Sequence, residues 1–183
     1  MSRITTFTGK RIDPLHPAAE DIDIRDIAHG LSLLCRGNGQ VTHFYSVAQH
    51  SLACQKEAAA RGYSKRVQLA CLLHDASEAY LSDVTRPVKQ KMQPYLEAEK
   101  ELQGVIWNKF FSSPLTEEEL GKVKQIDDDM LILELTELLQ MHFSKPAPKM
   151  LSEPKLESLD MQKIEREFLQ CANLQKLAIE NQE

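Results

Sequence analysis

His74 and Asp75 stand together at the end of Leu69-Ala70-Cys71-Leu72-Leu73, and Glu78 and Asp83 follow closely. A run that is apolar on every side belongs in a core, where an uncompensated imidazole or carboxylate costs several kcal/mol. A divalent cation would compensate, because imidazole nitrogen and carboxylate oxygen are both good ligands for first-row metals. Adjacent residues on an ideal helix diverge by about 100°, but at a helix end the backbone has room to let both side chains meet one ion. Glu78 lies three and four residues beyond the pair, on the same face. A His-Asp pair met alone would fit a plainer reading, a capped helix end with a satisfied histidine.

This pair is not alone. His50 lies in Tyr45-Ser46-Val47-Ala48-Gln49-His50-Ser51, among small and apolar residues rather than on a solvated face. Further on, the core-forming stretch Val123 to Leu131 carries Asp127, Asp128 and Asp129, and the residues themselves leave open which of the three faces inward. Two histidines and two carboxylates make a mixed nitrogen and oxygen site with positions left for water and substrate.

The elements that must position these groups read as helices. Thr5 to Ile12 alternates around Gly9 and predicts a short strand pair or extended arm. Asp26 to Cys35 places Ile27, Leu31 and Leu34 on one face, and Gly37-Asn38-Gly39 ends it. A second helix is expected from near Phe44 to Arg61, with Gly62 as its stop, and a third after the cap Ser64, running into His74. The third is apolar almost all round and so predicts the central buried helix. Pro87 and Pro94 bracket a short irregular or helical piece. Tyr95 to Phe111 is an amphipathic helix, and Thr116-Glu117-Glu118-Glu119 caps a long one through Leu138. Lys145-Pro146-Ala147-Pro148 is expected to break that helix, a loop to run to Leu159, and a last helix to span Met161 to Ala178. The fold class is all-α: a compact helical bundle with a short N-terminal extended arm or hairpin, one domain over residues 1–183.

Composition narrows the function. With 183 residues, 42% of them hydrophobic and 27% charged, the chain can bury one substantial core. A net charge of -5 argues against polymeric nucleic acid as partner, which would need a basic stripe. A small anion remains possible, because local cations and a metal can reverse the sign inside one pocket. Cys35, Cys54, Cys71 and Cys171 form no C-x-x-C pair and read as reduced thiols. Met1 to Thr6 lacks the apolar stretch of a signal peptide, and no apolar run is long enough to span a bilayer. The expectation is a cytoplasmic protein with no membrane partner.

The order His, His-Asp, Asp on separate helices resembles the HD superfamily of phosphohydrolases. The wording is similar to a small group of bacterial and phage HD hydrolases: Asp26-Ile27-Ala28-His29, Cys35-Arg36, Phe44 to His50, His74 to Tyr80, Arg86-Pro87-Val88-Lys89, and Val-Lys-x-x-Asp at Val123 to Asp127. The likeness covers roughly Thr5 to Glu137. More distantly the chain is similar to bacterial 5'-deoxynucleotidases and to phage dATP triphosphohydrolases.

The resemblance implies an HD-domain bundle with His50, His74, Asp75 and Asp127 as ligands of one divalent ion (Mn, Co, Ni, Zn or Mg). Asp127 is favoured over Asp128 and Asp129 because Lys124 then falls three residues before it and Glu134 seven after it, as in the family. Glu78 and Asp83 become the catalytic carboxylates, which position or activate water or protonate the leaving oxygen. Arg36, Lys89 and Lys124 become phosphate contacts, though each is also of a type that commonly sits on surfaces. Relatives carry a large, usually aromatic residue after the arginine at the place of Arg36. Here Gly37 stands there, so a base preference does not carry over. His29 and His43 read as structural histidines that form hydrogen bonds.

The reaction implied is metal-assisted hydrolysis of a nucleotide phosphoester at the α-phosphorus, releasing a nucleoside. Several cations beside the metal suit a polyphosphate tail and tilt the substrate towards deoxynucleoside triphosphates, dATP above all. The alternatives are a 5'-deoxynucleotidase acting on monophosphates, an HD phosphodiesterase, and a nucleotide-binding module without catalysis. A homo-oligomer, dimer or hexamer, is a further implication. The Tyr95 to Phe111 stripe with Trp107 would serve an interface or the core equally well.

Overall fold

Ser46 opens the helix on which the first histidine lies. Its hydroxyl accepts from Gln49 N at 3.1 Å while Gln49 Oε1 accepts from Ser46 N at 3.3 Å, a capping box that meets two otherwise unpaired donors. Helix α2 therefore spans Val47–Ala60 and does not reach back to Phe44. The residues before it are extended, with Ser46 bridged to Cys35.

In the computed structural model, which describes residues 3–144 and 146–181, the other elements follow similar signals. Strands β1 (Ile4–Thr5) and β2 (Arg11–Ile12) form the N-terminal hairpin, whose turn Gly9 holds at φ 84°, a conformation glycine adopts without steric cost. Helix α1 covers Ile24–Leu33 under the cap Asp23. Helix α3 covers Lys65–Leu73 under Ser64, and everything from Val67 to Leu73 is buried. Short helices α4 (Glu78–Leu81) and α5 (Arg86–Lys89) precede α6 (Gln93–Phe110). Helix α7 (Glu117–Leu138) starts on a Thr116–Glu119 capping box, and α8 (Met161–Glu180) on Asp160. The Trp107 stripe of α6 turns to the core: Trp107 packs against it and meets Phe111 edge-on at 5.6 Å.

Helix α3 is the centre of the bundle, packed by α2, α7 and α8. It can lack a solvated face because neighbours cover it on all sides. Helix α8 contributes Ile164, Phe168, Ala172 and Ile179 from one stripe. Helix α1 approaches α4 so closely that a Cβ at Gly30 would stand 3.1 Å from that of Ala79, which fixes the segment after Asp75 against the bundle.

The path between α7 and α8 departs from expectation. Helix α7 ends at Leu138, and Gln140 adopts φ 55°, so the chain turns before it reaches Pro146. Of the expected break, Lys145 lies outside the described residues, as do Met1 and Ser2 of the N-terminal stretch. The irregular segment then straps back onto α2. Glu57, fully covered, accepts from Leu151 N at 3.1 Å, Ser152 N at 2.8 Å and Ser152 Oγ at 2.6 Å. It also pairs with Arg61 at 2.8 Å. Gln49 Nε2 donates to the Glu157 carbonyl and His43 Nε2 to that of Leu156. Among the described residues no helix is long and apolar enough to cross a membrane.

Burial works against charge on Glu57, but the donors from Ser152, Arg61 and Leu151 overcome it and hold its pKa at about 2 against an ordinary 4.5. Its contribution to stability is present above about pH 4.5 and fades as pH falls towards 2. Glu57→Gln should lower Tm at pH 7 by about 4–8 °C, and the gap to the unsubstituted protein should narrow at pH 3. Thermal unfolding followed by circular dichroism at the two pH values checks this.

Candidate metal centre

Three helices deliver four groups to one point. His50 lies in the first turn of α2, His74 and Asp75 leave the end of α3, and Asp127 comes from the middle of α7. The two imidazole Nε2 atoms are 3.2 Å apart. His50 Nε2 is 3.2 Å from Asp127 Oδ1 and 3.7 Å from Asp75 Oδ2. His74 Nε2 is 3.2 Å from Asp75 Oδ2 and 3.6 Å from Asp127 Oδ1.

The other ring nitrogens decide what sits at that point. His74 Nδ1 faces the Cys71 carbonyl at 2.8 Å and His50 Nδ1 faces Glu134 Oε1 at 2.7 Å. Both partners only accept, so each Nδ1 carries the proton and each Nε2 presents a lone pair. Two lone pairs and two carboxylates converging at 3.2–3.7 Å repel one another unless a positive charge lies between them. Donors about 2.0–2.2 Å from a common ion lie roughly 2.9 Å apart at right angles and roughly 3.4 Å apart at the tetrahedral angle, so the observed spacing fits a divalent metal.

The electrostatics agree. Burial disfavours charge on both imidazoles, yet Glu134 and Asp127 raise the pKa of His50, and Asp75 and Asp127 raise that of His74. Against the same burial, the histidines hold Asp127 and Asp75 below the carboxylate range. The site demands positive charge. Cys54 also lies close, its sulfur 3.6 Å from His50 Nε2, and with His50 and His74 it forms a possible ligand group. Burial, with Asp127 and Glu134 nearby, pushes its thiol well above the ordinary value. A bound divalent ion would deprotonate such a thiol, so Cys54 competes with the carboxylates for a place at the ion.

Next to this point lie the two further carboxyls. Burial, reinforced by Asp75 and Asp83, pushes the Glu78 pKa well above normal despite Arg36 and Lys89. Its Oε2 is buried without a hydrogen-bond partner. Asp83 accepts from Gly37 N at 2.9 Å, and Gly37 can offer that N–H because it sits at φ 60°, where a side chain would be strained. Arg36 binds Asp75 at 3.2 Å and Glu134 at 3.3 Å. Arg36, Gly37, Asp75, Glu78, Asp83, Asp127 and Glu134 all line one cleft of about 610 Å³.

Comparison with known proteins fits this geometry. A family model described as HD domain matches residues 35–129. Over 138 residues the chain is 36% identical to the uncharacterized protein YfdR of Escherichia coli K12, covering 75% of this chain and 73% of that one. Over 109 residues it is 43% identical to the uncharacterized protein RCAP_rcc00048 of Rhodobacter capsulatus, covering 57% and 56%. This chain belongs to the HD-domain family. HD domains are in general metal-dependent phosphohydrolases that bind divalent metals, and on that ground the protein is a hydrolase.

Within this HD domain, the structure brings His50, His74, Asp75, Asp127, Glu78, Asp83, Arg36 and Lys89 together around one cleft. Lys124 does not. It points away from the cleft, 69% exposed, and pairs with Asp128 one turn along α7. Asp129 pairs with Arg61 at 2.9 Å, so Asp127 alone of the three aspartates faces the histidines. His29 is held by Glu165 and stacks on Phe7; with His43 on Leu156, both are structural. Sequence reasoning missed the role of Glu134, which lies two turns after Asp127 on the same buried face and joins His50 to Arg36. An acidic residue at a core position of α7 was the available signal.

A carboxylate behind a metal-binding imidazole fixes its tautomer and orientation. Calorimetric titration with Mn²⁺ should therefore give one ion per chain, lost in His74→Ala. In Glu134→Gln the affinity should fall by about 10–100-fold while unfolding stays cooperative. Unchanged affinity would mean that His50 is oriented without Glu134.

Proposed function

We propose that this HD domain hydrolyses nucleotides at the α-phosphorus and releases a nucleoside, with His50, His74, Asp75 and Asp127 holding one divalent ion. The observation that carries this reading is the cleft. It is lined by Asp75, Asp127, Glu78 and the cations Arg36, Arg86 and Lys89, and also by the apolar side chains of Val41, Leu131, Leu135, Leu138, Leu139 and Met141. That pairing matches a phosphate joined to a sugar and base, and the volume is that of a small-molecule site.

When bound, the ion supplies Lewis acidity and a more acidic water at the phosphoryl group. The chain's own residues do the rest. Arg36 lies between Asp75 and Glu134, where its guanidinium would bind a phosphoryl oxygen of the substrate. Asp83, fixed by Gly37, orients water and accepts its proton. Glu78, whose pKa is raised by burial and by its acidic neighbours, gives its proton to the leaving 5'-oxygen as the P–O bond breaks. The two carboxyls divide the acid and base roles because their surroundings differ.

Deoxynucleoside triphosphates, dATP first, are the favoured substrates. The leucine side chains suit the less polar deoxyribose better than ribose, with Gln40 and Thr85 the uncharged polar side chains that also line the cleft. Adenine carries fewer groups needing a partner than guanine, so it suits a wall of leucines better. Hydrolysis assays on deoxy- and ribonucleotides at the mono-, di- and triphosphate levels, with Mn²⁺ or Co²⁺ and products weighed by mass spectrometry, should yield deoxyadenosine and tripolyphosphate from dATP. Turnover of monophosphates alone would make the enzyme a 5'-deoxynucleotidase, and none on any nucleotide would refute the proposal. Glu78→Gln should lower kcat by about 10²–10⁴-fold while Mn²⁺ still binds.

A further inference from the structure

The charges around the ion site leave one question about the substrate. Asp75, Asp127 and Glu134 face Arg36 and the histidines within 2.7–3.7 Å. Three carboxylates are thus balanced by one guanidinium and a divalent ion, and nothing positive is left over for a chain of phosphates. Lys89 is committed too, to Glu99 at 2.6 Å and Glu78 at 3.4 Å. A polyphosphate tail needs a further cation, placed farther out.

Arg86 is in that place. It lines the cleft and its side chain is 53% exposed. Its guanidinium lies 3.5 Å from Asp127 Oδ2, on the opposite oxygen from the one that faces the histidines. It also touches Asp128 Oδ1 at 3.2 Å and 3.3 Å. Arg86 therefore stands one carboxylate away from the ion position, towards solvent. It can also leave Asp128 cheaply, because Lys124 stays on Asp128 and because half-exposed ion pairs are weak. A phosphate, bound bidentately by the planar fork, is the stronger partner.

The geometry points to Arg86 as the residue that binds the phosphate beyond the one attacked, and so as the group that favours nucleoside di- and triphosphates over monophosphates. This rests on the nucleotide reading of the cleft. It also gives Lys124 an indirect part: it holds Asp128 when Arg86 turns to the ligand.

Two measurements on the Mn²⁺-loaded protein and on Arg86→Ala test it. By calorimetry, the ratio of tripolyphosphate to orthophosphate affinity should fall about tenfold or more in the variant. In turnover assays, the ratio of kcat/KM for dATP to that for dAMP should fall by a similar factor. Ratios that stay level, whether because both ligands weaken alike or because neither does, would overturn the assignment. The two ideas fail separately. If no nucleotide is turned over but tripolyphosphate binding still depends on Arg86, the nucleotide reading falls and the polyphosphate subsite stands. If nucleotides are turned over with unchanged ratios, the subsite falls and the reading stands.

Discussion

Two imidazole nitrogens, each with its proton committed to the far side of the ring, face one another across 3.2 Å in the middle of this protein. Two carboxylates close on the same point. In a low-dielectric interior such lone pairs and negative charges cannot share a vertex without a cation, and the surrounding bundle is arranged so that they must. Helix α3 stops at Leu73, which turns His74 and Asp75 out of the core together. Helix α2 begins late, at Val47, so that its first turn brings His50 to the same place. Helix α7 provides Asp127 for the vertex and, two turns on, Glu134 to fix His50 from behind.

The functional reading follows from what surrounds that vertex. Burial and its acidic neighbours raise the pKa of Glu78, while Asp83 is tied to a backbone N–H that only a residue such as Gly37 presents easily. Arg36 links both sides of the site through Asp75 and Glu134. Apolar side chains from the last two turns of α7 and the residues after it line the same cleft. A lining of charged groups and hydrocarbon together suits a phosphate ester with an organic body.

Much of this was legible in the sequence, for a physical reason. Ionisable residues inside apolar runs have few explanations, so His50, His74, Asp75 and the aspartates of α7 stood out. Helix starts at Ser64, Thr116 and Asp160 were legible or nearly so because capping is local. The rest depended on tertiary contacts. Three consecutive aspartates can be phased only once it is known that Arg61 takes Asp129 and that Arg86 and Lys124 take Asp128. The family resemblance implied a phosphate ligand at Lys124, but its partner is its own helix neighbour. The strap onto Glu57 had no sequence signal, because its donors are the backbone groups of residues 151 and 152 and one serine hydroxyl, more than ninety residues away along the chain.

The central claim is the identity of the groups that meet at the vertex, and X-ray absorption at the metal edge of the Mn²⁺- or Co²⁺-loaded protein tests it most directly. The account predicts a first shell of nitrogen and oxygen at about 2.0–2.2 Å with the outer-shell scattering of two imidazoles. A sulfur shell near about 2.3 Å would put Cys54 in place of a carboxylate. A shell without imidazole would contradict the account outright.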